Sequence, residues 1–263
     1  MSDFRLRVFS SVAKNLSFTK ASQELFISQP AITKHIQELE ATYQTRLFDR
    51  QGSKISLTES GRLLLEHCER ILEDYKRLEY EMHLLHNEYI GELKLGASTT
   101  IAQYVLPPLL GSFIGKFPQV NLSLLNGNSR EIEAALQEHR IDLGLVEGVF
   151  RLPNLKYTTF LEDELVAVVH SKSRLQLPEE ITPQDLPAIP LVLRERGSGT
   201  LDVIERSLQK HGVKLSSLHV LMYLGSTESI KLFLENSDCM GIVSIRSICK
   251  ELAAGTFRVV EIK

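Results

Sequence analysis

Hydroxyl side chains gather at three places where an apolar run gives way to an amphipathic one: Ser98-Thr99-Thr100, the segment Arg196-Gly197-Ser198-Gly199-Thr200, and Ser226-Thr227. The start of a helix carries free N–H groups and the positive end of the helix dipole. Hydroxyls placed there suit a small carboxylate or another anion, and Arg194 or Arg196 would add charge. Any one of these hydroxyls serves equally well as a plain helix cap, and Gly197 and Gly199 equally well as turn glycines. Three such corners in one half of the chain make the joint case for a binding site. Bond-making chemistry lacks its residues. There is no HExxH, no GxSxG and no Walker-type glycine loop. The eight histidines are dispersed without metal-ligand spacing, and the three cysteines, Cys68, Cys239 and Cys249, form no CxxC. Cys239 and Cys249 are read as structural residues in preference to an oxidant-sensing pair. Binding without catalysis, metal or cofactor is the expectation.

The elements that must hold these residues follow from length and pattern. A chain of 263 residues suits two compact units, and 43% hydrophobic with 24% charged residues sits near the globular average. No window of about 18 apolar residues occurs, so no membrane helix is expected. The start, Met1-Ser2-Asp3-Phe4-Arg5-Leu6-Arg7, has no apolar core of a secretory signal. With its scattered cysteines, the chain is expected in a reducing cytoplasm. The net charge of -3 rules out a uniformly basic coat. The charge is uneven, however. Residues 1–58 hold eight Lys and Arg against five Asp and Glu, while residues 59–90 hold four against eight. A modestly basic front followed by an acidic helix fits a small DNA-reading domain on a helical spacer.

Phe4, Val8, Phe9 and Val12 recur at helical spacing, and Asn15-Leu16-Ser17 ends that helix. Thr19 offers an N-cap for a second helix, with Ala21 and Leu25 inward. Ser28 can cap a third, where Pro30 is tolerated because first-turn N–H groups have no intrahelical partner. Ile32, Ile36 and Leu39 form its buried stripe, and Gln29, Thr33, Lys34 and Gln37 lie opposite. The stretch from Leu47 to Leu57 reads as a β-ribbon turning at Gly52. Thr58 begins a long helix in which Leu64, Cys68, Ile71, Tyr75, Leu78, Met82, Leu85 and Tyr89 alternate at spacings of 4 and 3. Such an a/d seam favours a second chain over a helix docked on its own domain. Tyr75, Met82 and Tyr89 are imperfect seam residues, so help from the flanking domains is expected. After Gly91, short apolar strands alternate with amphipathic helices to the end, which predicts α/β layers with mostly parallel sheets.

Several segments together carry a family likeness: Ser17 to Ser22, Leu25 to Glu40 with its Ser28-Gln29-Pro30-Ala31-Ile32-Thr33, Leu47-Phe48-Asp49-Arg50, Leu57-Thr58-Glu59-Ser60-Gly61, Asp142-Leu143-Gly144-Leu145 and Gly225 to Lys231. In order and spacing the chain resembles the LysR-type transcriptional regulators over almost its whole length. The resemblance implies a winged helix-turn-helix at 1–58, a linker (dimerisation) helix at 59–90 and a two-lobed α/β effector domain at 91–263. That last part is like a type 2 periplasmic binding protein, with lobes at about Gly91–Phe160 and Leu161–Val260. The implied partners are double-stranded DNA with an interrupted, roughly palindromic operator, a small-molecule effector, further copies in a homodimer or homotetramer, and RNA polymerase. The third helix would enter the major groove. Gln29 and Gln37 could pair with adenine, Lys34 with a guanine edge or phosphate, and Ala31 and Thr33 with thymine methyls, beside Pro30. Ser17, Thr19 and Ser28 at helix starts suit phosphate. Arg50 and Lys54 flank the ribbon turn and would grip backbone or minor groove, unless Arg50 pairs with Asp49 or Glu40. The dimer seam would use Leu64, Ile71, Leu78 and Leu85.

Effector contacts are implied at Ser98, Thr99 and Thr100, with Gln103 close by. Glu147 would line the hinge side, and Arg196, Ser198, Thr200 and Thr227 would face from the second lobe. The leading expectation is a regulator whose DNA binding or bending responds to a small anionic metabolite. A binding protein whose front domain does not regulate is the alternative, and an enzyme lacks the residues it would need. Two departures stand out. Tyr43-Gln44 replaces the family's usual glycine after the third helix, and Thr33-Lys34-His35 replaces a more usual Ser-Arg pair and polar residue. Relatives also run some thirty residues further, with a last strand and helix returning to the first lobe; either that lobe is completed differently here, or, with the element missing, an exposed strand edge is expected.

Overall fold

The computed structural model describes residues 4–51, 54–85 and 89–263, in two compact units, Met1–Ile90 and Gly91–Lys263. The front unit opens with three helices, α1 (Phe4–Asn15), α2 (Phe18–Leu25) and α3 (Gln29–Tyr43). A two-stranded antiparallel ribbon, β1 (Phe48–Gln51) and β2 (Lys54–Leu57), follows. The unit closes with the 27-residue helix α4 (Glu59–Leu85). Val8, Phe9, Val12, Ala21, Ile32, Ile36, Leu39, Leu47 and Cys68 meet in one core. The expected apolar faces are those that pack, apart from Phe4. It lies half exposed at the rim, edge-on to the His35 ring.

Two local expectations are corrected, for the start of α2 and for α4, and the corner between α3 and the ribbon shows how it forms without glycine. The N-cap of α2 is Ser17, whose Oγ accepts from the Lys20 N–H at 3.2 Å; Thr19 lies inside the helix. The corner after α3 keeps its left-handed form without glycine, because Gln44 itself takes φ 51°. A left-handed residue with a Cβ costs about 1–2 kcal/mol. The core recovers part of this, since the tight corner brings Thr45 N–H onto the Glu40 carbonyl and the Glu40 carboxylate onto the Leu47 N–H. The seam on α4 is shorter than its spacing suggests. Cys68 is fully buried with its Sγ 3.2 Å from the Leu6 carbonyl, and Leu64 packs beside it against the unit's own core. Only from Ile71 onward do Leu78, Met82 and Leu85 stand exposed.

Thr58 starts α4 as expected, accepting from the Gly61 N–H at 2.9 Å. Gly61 is required there: a Cβ would stand 2.1 Å from the Leu47 carbonyl oxygen.

The second unit has two sheets. The first lobe carries β3 (Gly91–Ser98), β4 (Val120–Gly127) and β5 (Leu143–Leu145) in the order β4-β3-β5, all parallel. Helices α5 (Leu106–Lys116) and α6 (Ser129–Gln137) belong to this lobe. A wide turn, Ile101–Val105, precedes α5. Pro107 and Pro108 cannot donate to the carbonyls four residues back, and the backbone there bonds five residues back instead, Leu106 N–H to Ile101.

The second lobe carries a six-stranded sheet in the order β7-β11-β6-β10-β8-β9. Its strands are β6 (Leu165–His170), β7 (Glu180–Ile181), β8 (Leu191–Arg194), β9 (Val220–Leu224), β10 (Met240–Ser244) and β11 (Phe257–Ile262). β6 runs antiparallel to both its neighbours, which the expectation of mostly parallel strands did not include, while the other pairings are parallel. The helices are α7 (Gly199–Lys210), α8 (Thr227–Glu235) and α9 (Cys249–Ala253). Leu201, Ile204 and Leu208 of α7 pack into one core with Leu191 and Leu193; Ile230 and Leu234 of α8 pack into another with Val192 and Val243. β8 is therefore buried on both faces.

Candidate functional site

In the front unit, α3 is split lengthwise. Ile32, Ile36 and Leu39 are buried, whereas Gln29, Pro30, Lys34 and Gln37 are exposed and Ala31 and Thr33 partly so. Ser28 Oγ accepts from the Ala31 N–H at 3.4 Å, and Pro30 lies in the first turn. The Thr33 hydroxyl donates to the Gln29 carbonyl at 3.1 Å, and Thr19 Oγ1 donates to Gln29 Oε1 at 3.4 Å. The start of α2 is thus tied to the first side chain of α3. Ser17, Thr19, Ser28 and Gln29 end up at one edge, where two helix N-termini and an amide point outward. A helix edge of this kind fits a major groove, with N-terminal groups toward phosphate and side chains toward bases. Arg50 and Lys54 lie on the ribbon beside its turn, with Arg50 opposite Ile55 and Gln51 opposite Lys54. The turn at Gly52 and the ends of these two side chains lie outside the described residues.

In the second unit, the hydroxyl corners converge between the lobes. Ser98, Thr99 and Thr100 at the end of β3, Ser198 and Thr200 at the start of α7, and Thr227 at the start of α8 are all buried. Glu147, just beyond β5, accepts from the Thr200 hydroxyl at 2.8 Å and from the Ser98 hydroxyl at 3.3 Å. Its backbone carbonyl accepts from Ser129 Oγ at 3.0 Å. Thr99 Oγ1 donates to the Gly127 carbonyl at 3.2 Å. Thr100 Oγ1 is buried and, among the described residues, has no hydrogen-bond partner. Thr100, Glu147 and Thr200 share a cavity of about 520 Å³ with Ile101, Val105 and Val203. Gln103 is exposed on the turn before α5.

Two readings change here. Arg196 is exposed and lines a separate depression with Glu205, Lys214 and Tyr223. The cation behind the corners is Arg194, 2% exposed. Its guanidinium grips both Glu195 carboxylate oxygens at 2.9 and 3.1 Å, and reaches the Gly225 carbonyl at 3.3 Å and Thr99 Oγ1 at 3.5 Å. Burial decides between the two arginines: β8 is covered on both faces, so its last side chain has nowhere to go but inward. The capping alternative holds for Ser226, which accepts from the Ser229 N–H at 3.1 Å. It fails for Ser198, which makes no cap bond through its side chain.

One cluster is not assembled by any sequence pattern, because its members come from distant segments. Lys231 of α8, 8% exposed at its side chain, donates to Glu228 at 2.8 Å, to Glu251 at 2.5 Å and to the Ser247 carbonyl at 3.1 Å. Its ammonium lies 5.5 Å from the centre of the Tyr104 ring, and the Tyr104 hydroxyl donates to Glu228 across the lobes. Burial alone would lower the Lys231 ammonium, but the two carboxylates outweigh it and raise it. Burial likewise works to raise the Glu228 carboxyl, yet donation from Lys231 and Tyr104 holds it below the usual carboxylate range. The Tyr104 hydroxyl is pushed well up by burial and by that same carboxylate. No helix among the described residues is long and apolar enough to cross a membrane. No group of three or more metal-ligating side chains occurs among them.

Comparison with known proteins bears on both units. Residues 4–62 match the family described as bacterial regulatory helix-turn-helix protein, lysR family, and residues 86–263 match the LysR substrate binding domain. The HTH-type transcriptional regulator CysL of Bacillus subtilis (strain 168) is 31% identical over 247 residues, spanning 94% of this chain and 82% of that protein. Among solved structures, full-length CbnR complexed with its target DNA superposes with a TM-score of 0.61 at 23% identity, covering 100% of this chain and 89% of that one. The regulatory domain of Synechocystis PCC6803 CcmR in complex with 2-PG superposes with a TM-score of 0.58 at 29% identity, covering 66% of this chain and 81% of that one.

Proposed function

The chain belongs to the LysR family of bacterial transcriptional regulators, and from that premise we propose that α3 reads base edges while the cleft of the second unit holds a small effector. It is a DNA-binding regulator with an effector-binding domain and not an enzyme. The observation that carries the reading of DNA is the lengthwise split of α3, with a buried Ile32-Ile36-Leu39 stripe and an exposed edge of Gln29, Pro30, Lys34 and Gln37. In this reading Gln29, Ala31, Thr33 and Gln37 contact bases, Ser17, Thr19 and Ser28 hold phosphates, and Arg50 and Lys54 grip the backbone beside the ribbon. Paired copies, joined along α4 from Ile71 to Leu85, present two such edges to an interrupted palindrome.

The effector sits between the lobes with an anionic group toward Thr99 and Thr100, where the turn before α5 starts and Arg194 stands behind. Ser98, Glu147, Thr200 and Thr227 complete the wall. The complex of CcmR with 2-PG supports a small ligand in this fold. Ligand-dependent closure of the lobes then alters the spacing or bend of the bound DNA. Gel-shift competition between operator variants tests the reading of DNA. Gln29→Ala with Thr33→Ala should cost about 1–3 kcal/mol per lost base contact and relax preference at the matching positions. Unchanged operator preference overturns the assignment of α3.

A further inference from the structure

We infer that Glu147 is a charge gate: its carboxylate fills the anion corner at the start of α7 from within and selects a ligand that carries no more than one negative charge and brings a hydroxyl or ammonium donor. This rests on reading residues 91–263 as a ligand-binding unit.

Four observations meet at this point. The N-terminus of α7 lacks a side-chain cap of its own, because Ser198 makes no such bond. A carboxylate beside it answers the free N–H groups and the dipole. The Glu147 oxygens accept from Thr200 of the second lobe at 2.8 Å and from Ser98 of the first at 3.3 Å, so one side chain spans both lobes. The backbone is shaped to bring it there: Gly199 has no Cβ to collide with the Glu147 carbonyl, which would lie 2.2 Å away. Finally, Thr100 Oγ1 is buried without a partner among the described residues and lines the same cavity as Glu147 and Thr200. That orphan hydroxyl marks a position where a ligand polar atom belongs.

The charge balance gives the ligand class. The positive charge of Arg194 is already matched by Glu195, whose carboxylate it grips with two nitrogens. Arg151, Lys156 and Arg246 line the wider cavity, with Arg246 paired to Asp163 and Arg151 bonded to the Gly148 and Phe150 carbonyls, and no cation pairs with Glu147 among the described residues. A free dianion settling between Thr100 and Thr200 meets the negative charge of Glu147. A hydroxyl or ammonium donates to that charge, while a single carboxylate or monoanionic group turns toward the unpartnered Thr100 hydroxyl. A hydroxy or amino monocarboxylate has this pattern of groups.

The gate is tested with inorganic sulfate and phosphate on the full chain, reading thermal unfolding and calorimetric titration against sodium chloride of equal ionic strength. The unsubstituted chain should show no stabilisation beyond the chloride control. Glu147→Gln, which keeps the shape and removes the charge, should bind sulfate at least about 10-fold more tightly. Glu147→Asp and Thr200→Val should still exclude it, because the charge remains. Sulfate stabilising the unsubstituted chain overturns the gate without reference to any variant. Equal affinity of the Gln variant and the unsubstituted chain overturns it as well, and so does a gain in Thr200→Val, which would assign exclusion to the latch and not to charge. Operator binding of the same preparations is read separately: its absence removes the regulator reading, while the sulfate series judges the gate alone.

Discussion

Glu228 shows how single residues set the behaviour of the second unit. Lys231 and Tyr104 hold its carboxyl below the ordinary range against the opposing pull of burial. A carboxyl whose folded value is depressed contributes stability above its unfolded value of about 4.3, and that contribution is lost as pH falls through the folded value. The unit should therefore lose thermal stability as pH drops below about 4, and Glu228→Gln should flatten that part of the profile. An unchanged profile would show that the cluster adds nothing to folding. The hydroxyl corners were legible in the sequence because helix starts announce themselves by residue type. The choice of Arg194 over Arg196 was not, since alternation along a strand loses its meaning when both faces are covered. The pairing of Tyr104 with Glu228 left no trace, for they meet from positions 124 apart.

At the scale of elements, α4 does two jobs along its length. Its first half belongs to the front unit, with Cys68 and Leu64 in the core and Lys14 paired with Glu69 at 3.2 Å. Its second half shows Ile71, Leu78, Met82 and Leu85 to solvent, Leu85 being 76% exposed. The 4-3 spacing ran through both halves, so periodicity gave the helix but could not tell which turns face a neighbour in the same chain. Leu78→Glu with Leu85→Glu should shift the protein to monomer in light scattering and leave the helical signal of the front unit intact. A dimer that survives both changes would place the interface elsewhere. The order of helices, ribbon and alternating strands was readable from apolar patterns. The antiparallel course of β6 was not, because pairing direction depends on connections rather than on the strand itself.

Across the whole molecule, charge separates the roles. The net charge is -3, yet in the proposed reading the front unit meets DNA through a few cations, Lys34, Arg50 and Lys54, so binding should weaken steeply with salt. Lys34→Ala should weaken binding to all sequences alike and reduce the salt slope by about one unit if Lys34 contacts phosphate. A selective loss at one base position would assign it to a guanine edge instead. The tight seat of Gly61 against Leu47 has a mechanical side. It fixes the first turn of α4 to the residue just before the ribbon, so this end of the helix is bound to move with the front unit. A helix of this length reaches about 40 Å, and a swing of about 5° at its far tip moves it by about 3.5 Å, roughly one step along a DNA strand. In the proposed reading, a small tilt imposed on the distal turns would therefore be large enough at the other end of the helix to change register on the duplex.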